Sequence, residues 1–196
     1  YLVTAAHIIP YEEETETPKI GNINVETVNR DQTKTAILKT SSILLSQCIV
    51  ARDSDADWMV IRLYQQHNAK QSFMFGDTKK IDQGSQVTIT GFPNYAEGNM
   101  YQAMTYEVTS ACSGIRAFEW NVLSVDGVLC HGISGGPVLD NKGKVIGVVS
   151  TGPATTDEHL KGRESGFILI DPIRDTIEAD KKNWAYSKNL NHKGDF

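Results

Sequence analysis

Ser134 lies in the stretch CHGISGGPVLD (130–140), with glycines at 132, 135 and 136 and a proline at 137. A serine hydroxyl is a weak nucleophile until a base takes its proton. Acyl transfer at such a serine also needs donors for the oxyanion that develops. Gly132, two residues before the serine, lets its N–H turn toward the same point as the N–H of Ser134, which makes a two-donor oxyanion hole. Gly135 follows the serine directly. A glycine-rich hairpin turn has the same composition, so the segment alone leaves both readings open. A base and a group to orient it must then lie elsewhere. His7 stands behind two alanines in YLVTAAHII, and Asp57 opens the apolar run DWMVIRL. Alone, such a histidine is ordinarily structural and such an aspartate ordinarily a turn residue or cap. Together, three separate segments supply base, orienting carboxylate and nucleophile in the order His7, Asp57, Ser134, each at the edge of a strand-like run.

Short strands have to position these residues. SQVTITGF (85–92) alternates Val87 and Ile89 against Thr88 and Thr90, the period of a half-buried strand. KVIGVVS (144–150) is a β-branched run behind the turn DNKG, and DWMVIRL (57–63), SQCIVA (46–51) and GFILI (166–170) read the same way. Proline and glycine punctuate the rest, as in FPNYAEG and STGPATT. Many short strands with little helical periodicity predict an all-β protein. The exception is DPIRDTIEADKK (171–182). It predicts a short C-terminal helix with Asp171 as N-cap, Pro172 at the first helical position, and Ile173 and Ile177 on one face. Residues 183–196 are polar and read as a tail or linker.

Bulk properties exclude several function classes. The 196 residues carry a formal net charge of −5, so no basic field attracts nucleic acid. No apolar run reaches the roughly 18 residues needed to cross a membrane, and no secretory leader is visible. The three cysteines, Cys48, Cys112 and Cys130, are odd in number and irregularly spaced. They read as thiols in a reducing compartment, which predicts a cytoplasmic location; the alternative is one disulfide pair and an extracytoplasmic location. Metal ligation is not expected, because the one close Cys/His pair, Cys130 and His131, is adjacent in sequence.

The motifs LVTAAH, ADWMVIRL and GISGGPV resemble those of the chymotrypsin-like (trypsin-fold) serine proteases, Leu-Thr-Ala-Ala-His, Asp-Ile-Ala-Leu-Ile-Arg-Leu and Gly-Asp-Ser-Gly-Gly-Pro-Val. FGDTKKIDQGSQVTITGFP (75–93), VDGVLCHGISGGP (125–137) and SGFILIDPI (165–173) are similar to the bacterial HtrA-like branch of that family. The resemblance covers most of residues 1–175. It implies two antiparallel six-stranded β-barrels with a short C-terminal helix. The first barrel would span 1–72, the second 73–170, the helix 171–182 and the tail 183–196. Only six residues precede His7, so the first barrel's leading strands would be missing from this sequence. No PDZ module of the HtrA kind fits after residue 180.

The resemblance also implies roles. His7, Asp57 and Ser134 would form the catalytic triad, and the N–H groups of Gly132 and Ser134 the oxyanion hole. Ser150 would hydrogen-bond Asp57 from behind, and the main chain of STG (Ser150, Thr151, Gly152) would pair with substrate as an added strand. Thr151 replaces a bulky aromatic. Val128 would floor the S1 pocket, Leu129 would form its wall, and Gly152 and Gly166 would leave its mouth open. An apolar P1 residue such as Val, Ala, Leu or Met is therefore expected, unless Glu164 swings in to favour a basic one. Two departures stand out. Ile8 replaces the cysteine that often follows the family's histidine. Ile133 replaces the aspartate that receives a new N-terminus in trypsin-like zymogens. No cofactor is called for. The expected partner is a peptide or protein substrate, with a further domain or regulatory partner beyond the tail. The competing class is a catalytically silent or partner-activated binding module on the same fold.

Overall fold

The structure is a computed structural model, and it describes residues 1–9, 11–12, 17–18, 22–28, 34–41, 46–63, 72–93, 102–111, 122–125, 129, 132–150 and 166–191. In chain order the first half contains β1 (Leu2–Thr4), a 3-10 turn (Ala6–Ile8), β2 (Tyr11–Glu12), β3 (Thr17–Pro18), β4 (Asn22–Val28), β5 (Lys34–Ser41), β6 (Ile49–Asp53) and β7 (Trp58–Ile61). The second half contains a 3-10 turn (Thr78–Lys80), β8 (Gln86–Gly91), β9 (Gln102–Ala111), β10 (Val122–Val125), β11 (Pro137–Leu139), β12 (Val145–Ser150) and β13 (Gly166–Leu169). A helix, α1 (Asp171–Asn191), ends the described chain.

The second half closes into a six-stranded barrel in the order β10-β13-β12-β11-β8-β9, with every neighbouring pair antiparallel. Closure removes the open edges that a sheet of this size would otherwise expose. Inward-facing Val87, Ile89, Val108, Val125, Leu129, Ile133, Val138, Ile146, Val149 and Phe167 fill it. The alternation in SQVTITGF thus reports the interior of this barrel. In the first half the described strands form a three-stranded sheet β1-β7-β6 and two antiparallel pairs, β2-β3 and β4-β5. The run SQCIVA is extended only from Ile49, and residues 46–48 are helical.

β7 is the middle strand of its sheet, and all four of its residues are buried. Its two faces serve two cores. Met59 and Ile61 pack with Ile9 inside the first half. Trp58 and Val60 face the second half, where they meet Val145, Val148, Ile168 and Ile170 and, from the helix, Ile173 and Ile177. Burying a side chain of this size stabilises by about 1.5–3 kcal/mol, so β7 is fixed on both sides. The segment that precedes it inherits that rigidity.

The helix departs from expectation at both ends. The N–H of Arg174 donates to Ile170 O at 2.8 Å, so Ile170, not Asp171, holds the capping position. The Asp171 carboxylate is engaged instead by Thr78 Oγ1 at 2.5 Å and Arg174 Nη2 at 2.6 Å. Its charge still suits the positive end of the helix. At the other end the helix runs past 182 to Asn191, so most of the expected tail is helical. No proline or glycine interrupts the chain between Ile173 and Asn191. Contacts beyond the second turn also hold it. Arg62 pairs through two nitrogens with Asp180 and stacks 4.9 Å from the Trp184 ring, and Tyr1 donates its hydroxyl to Asp180 at 2.6 Å.

Candidate active site

His7 occupies the 3-10 turn that follows β1. Ala5 and Ala6 ahead of it are buried, which anchors the turn to the molecule. Asp57 closes the turn between β6 and β7. It is the one non-glycine residue with positive φ among the described residues, at 57°. Aspartate tolerates this left-handed conformation better than most side chains, although it still costs energy. The turn is braced by the Ala56 N–H, which donates to Asp53 Oδ1 at 2.8 Å, and by the buried side chains of Ala56 and Trp58 on either side of Asp57.

The Asp57 side chain is a hub. Its Oδ1 accepts the backbone N–H of His7 at 2.9 Å, and the His7 ring nitrogen Nδ1 lies 2.9 Å from Oδ1 and 2.7 Å from Oδ2. From the second barrel, Ser150 Oγ donates to Oδ2 at 2.5 Å. Burial acts to raise the Asp57 pKa, but the hydrogen bonds from the His7 ring, Ser150 and the His7 backbone outweigh it and hold the carboxyl below its usual range. An ionised carboxylate only accepts, so neutral His7 must carry its proton on Nδ1 and leave Nε2 as the acceptor. The hydrogen bond to Asp57 also raises the His7 pKa above the usual 6.5, against the opposing effect of partial burial.

Ser134 lies half-buried in the tight loop Gly132–Gly136 at the rim of the closed barrel. Ile133, 1% exposed, anchors that loop in the barrel core. The peptide planes set its donors. Ile133 O accepts from Gly136 N at 2.9 Å, and in a planar trans peptide the N–H of Ser134 must point the opposite way. Gly135 N donates to Val149 O at 2.8 Å, and Val149 N donates to Gly136 O at 2.9 Å, which locks the loop to β12. Gly132 and Gly135 both have positive φ, 90° and 77°.

Gly135 also joins the loop to the histidine. A Cβ there would overlap Thr4 Oγ1 and stand 2.7 Å from Ile8 Cδ1 and 3.0 Å from Ala5 N. These residues bracket His7, so the Ser134 loop and the histidine turn touch with no room for a side chain between them. The motif spacing alone gave no sign of this contact or of the left-handed turn at Asp57.

The remaining expected residues are distributed as follows. Ser150 bonds Asp57, and Gly166 is its pairing partner on β13. Leu129, expected on a pocket wall, has its side chain in the barrel core with Val87, Ile133 and Phe167. Val128, Thr151, Gly152, Glu164, Cys112, Cys130 and His131 lie outside the described residues.

This architecture has known counterparts. The trypsin family model matches residues 1–177. Curated relatives include the serine protease Do-like HtrA of Lactococcus lactis subsp. lactis (strain IL1403). It is 26% identical over 145 residues, which make up 68% of this chain and 35% of the relative. The same-named protein of L. lactis subsp. cremoris (strain MG1363) is 25% identical over 141 residues, 68% of this chain and 34% of the relative. Among solved structures, the HtrA-type protease AlgW with a decapeptide superposes with a TM-score of 0.58 at 17% identity, over 90% of this chain and 48% of AlgW. AlgW with a tripeptide gives 0.53 at 17% identity, over 85% and 47%. The chain thus spans about a third of the length of the curated relatives it matches and about half that of the solved ones. With a family match over nearly its whole length and a closed barrel carrying the GISGGPV loop, the chain belongs to the trypsin family.

Proposed function

We propose that this protein is a serine endopeptidase that hydrolyses peptide bonds through an acyl-enzyme intermediate. The observation that carries the reading is the Asp57 carboxylate. It holds Nδ1 of His7 at 2.7 Å on a turn packed directly against the residue after Ser134. In this reading Ser134 Oγ attacks the substrate carbonyl, and His7 Nε2 takes the hydroxyl proton. Asp57 fixes the imidazole tautomer and stabilises the imidazolium that forms. The N–H groups of Gly132 and Ser134 receive the oxyanion. His7 then returns the proton to the departing amine, and water attacks the acyl-enzyme by the same route in reverse. The acyl side of the substrate pairs with the end of β12 and the segment after it, Ser150 to Gly152, as an added strand. AlgW, solved with bound peptides, supports a peptide substrate.

An apolar P1 residue fits Val128 as the pocket floor. A basic side chain there would bury its charge unpaired at a cost of several kcal/mol, whereas an apolar one gains about 25 cal/mol per Å² buried. A peptide-library profile dominated by Arg or Lys at P1 would refute that preference. The activity itself is tested with a fluorophosphonate probe on the wild type and Ser134→Ala. Wild type labels covalently and cleaves peptides, and Ser134→Ala loses labelling and about 10⁴-fold or more in turnover. Retained proteolysis in Ser134→Ala would end the proposal. A folded wild type that neither labels nor cleaves would favour the silent or partner-activated module instead.

A further inference from the structure

We propose that a cationic cavity on the second barrel, at the rim away from Ser134, is a docking site for an acidic peptide segment of a partner protein. The cavity has a volume of about 480 Å³ and opens between the 3-10 turn Thr78–Lys80, the start of β8 and the turn that joins β11 to β12. That volume is ordinary for a ligand-binding pocket. Lys80, Lys142 and Lys144 line it, together with the carboxylates of Asp77 and Asp140. Both carboxylates are already engaged. Asp77 pairs with Lys80 at 3.1 Å. Asp140 Oδ1 accepts the backbone N–H groups of Lys142 at 2.8 Å and Lys144 at 2.9 Å. The ammonium groups of Lys142 and Lys144 have no ion-pair partner among the described residues. The turn that carries them is fixed, because Gly143 N donates to Asp140 O at 3.0 Å and Asp140 N to Lys144 O at 2.9 Å. Two unpaired cations are thus held on a rigid hairpin in a chain whose net charge is −5. A cationic site held in place in this way binds an anion with little ordering cost to its backbone.

Strand geometry separates this cavity from Ser134. Gln86, which opens β8, lines the cavity, and Phe92, directly after β8, donates its N–H to Gly132 O at 3.4 Å. β8 has six residues, so the cavity lies roughly 15–20 Å from the Ser134 loop. A segment docked there leaves the Ser134 face open. An apolar neighbour narrows the ligand further. Val145 N donates to Met74 O at 2.8 Å, and Phe75 pairs with Val145 in parallel. Phe75 and Val145 pack into the core between the halves, so strand alternation puts Met74 and Lys144 together on the outer face. Met74 is 69% exposed. Carboxylates for the two lysines and an aliphatic side chain for Met74 are what this surface receives, and an acidic peptide with an apolar residue supplies both. A nucleic-acid backbone suits it less. Its evenly spaced phosphates would meet Asp77 and Asp140 as well as the lysines.

Fluorescence anisotropy with a rhodamine-labelled Glu-Glu-Leu-Glu-Glu peptide tests this. The protein carries Ser134→Ala, so that cleavage cannot intervene and binding is read apart from any chemistry at Ser134. The peptide should bind, its Gln-Gln-Leu-Gln-Gln counterpart should bind at least about tenfold more weakly, and salt should weaken the acidic peptide. Lys142→Gln with Lys144→Gln keeps most of each side-chain stem and should raise Kd by roughly fivefold to tenfold. Lys142→Glu with Lys144→Glu should abolish binding. Lys181→Glu with Lys182→Glu changes the net charge equally on an exposed stretch of the helix and should leave Kd unchanged. Met74→Ser should cost the leucine peptide about threefold and a glycine counterpart nothing. A Tm close to wild type shows that each variant is folded. Equal affinity for the Glu and Gln peptides, or undiminished affinity in Lys142→Glu with Lys144→Glu, overturns the proposal. So does an oligothymidylate that binds more tightly than the acidic peptide through the same lysines.

Discussion

Gly135→Ala is the sharpest perturbation of the contact between the Ser134 loop and the histidine turn. Two costs are expected. The first is conformational, because a residue with a Cβ at φ 77° sits in the left-handed region at about 1–2 kcal/mol. The second is steric. The added methyl would overlap Thr4 Oγ1 and press on Ile8 Cδ1 and the backbone nitrogen of Ala5 at 3.0 Å. The Ile8 tip can swing away, but Ala5 N cannot move without the turn that carries His7. Overpacking of this kind costs about 1–3 kcal/mol, for a total near 2–5 kcal/mol. Gly143 supplies the control. It has φ 72° in the turn between β11 and β12, and a Cβ there meets nothing within 4 Å. Gly143→Ala should therefore show only the first cost, about 1–2 kcal/mol. Separation of His7 from Ser134 by about 1 Å should slow acylation by about 10²-fold in Gly135→Ala, while Gly143→Ala labels at the wild-type rate. Urea melts and the rate of fluorophosphonate labelling measure the two effects. Equal destabilisation in both variants, together with wild-type labelling in Gly135→Ala, would show that the packing of the loop on the histidine turn does not position the site.

In the proposed mechanism only neutral His7 accepts the serine proton, and its hydrogen bond to Asp57 raises its pKa, so activity should fall on acidification through a single ionisation with a midpoint above 6.5. A pH–rate profile of kcat/KM checks this, and an acid limb centred near pH 4 would exclude His7 as the base. Ser150→Ala should cost about 1.5–3 kcal/mol, the worth of a buried hydrogen bond to a charged group. The Asp57 pKa is depressed in the folded state, so its contribution is present above the unfolded carboxylate pKa and is lost as pH falls through the folded value. Ser150→Ala brings the folded pKa of Asp57 closer to the unfolded one, so its Tm should start lower and fall less on acidification than that of the wild type; an equal fall of Tm in both would refute the coupling. Cys48 is a free thiol, and alkylation of denatured protein without reductant should modify three cysteines; a single modified thiol would indicate a disulfide.

Periodicity and motif chemistry were enough for much of this protein. SQVTITGF and KVIGVVS announce β8 and β12 because a half-buried or fully buried strand leaves its period or its β-branched run in the residues themselves. His7, Asp57 and Ser134 stand out in the sequence because acyl transfer calls for those residue types, and the pairing of His7 with Asp57 and the positive φ of Gly132 and Gly135 agree with that reading. Tertiary structure decided what depends on residues far apart in the chain. Asp57 takes a left-handed turn because β7 is pinned on two faces by cores from both halves and the helix. Asp171 gives up the capping position because Thr78, 93 residues away, competes for its carboxylate. The helix passes residue 182 because Arg62 engages Asp180 and Trp184. Leu129 lies in the barrel core, since closure of the six-stranded ring, not local hydrophobicity, determines which face points inward. Ile8 and Ile9 are the same residue type in adjacent positions. Only the packing of the turn leaves Ile8 exposed beside Gly135 and Ile9 in the core with Met59 and Ile61.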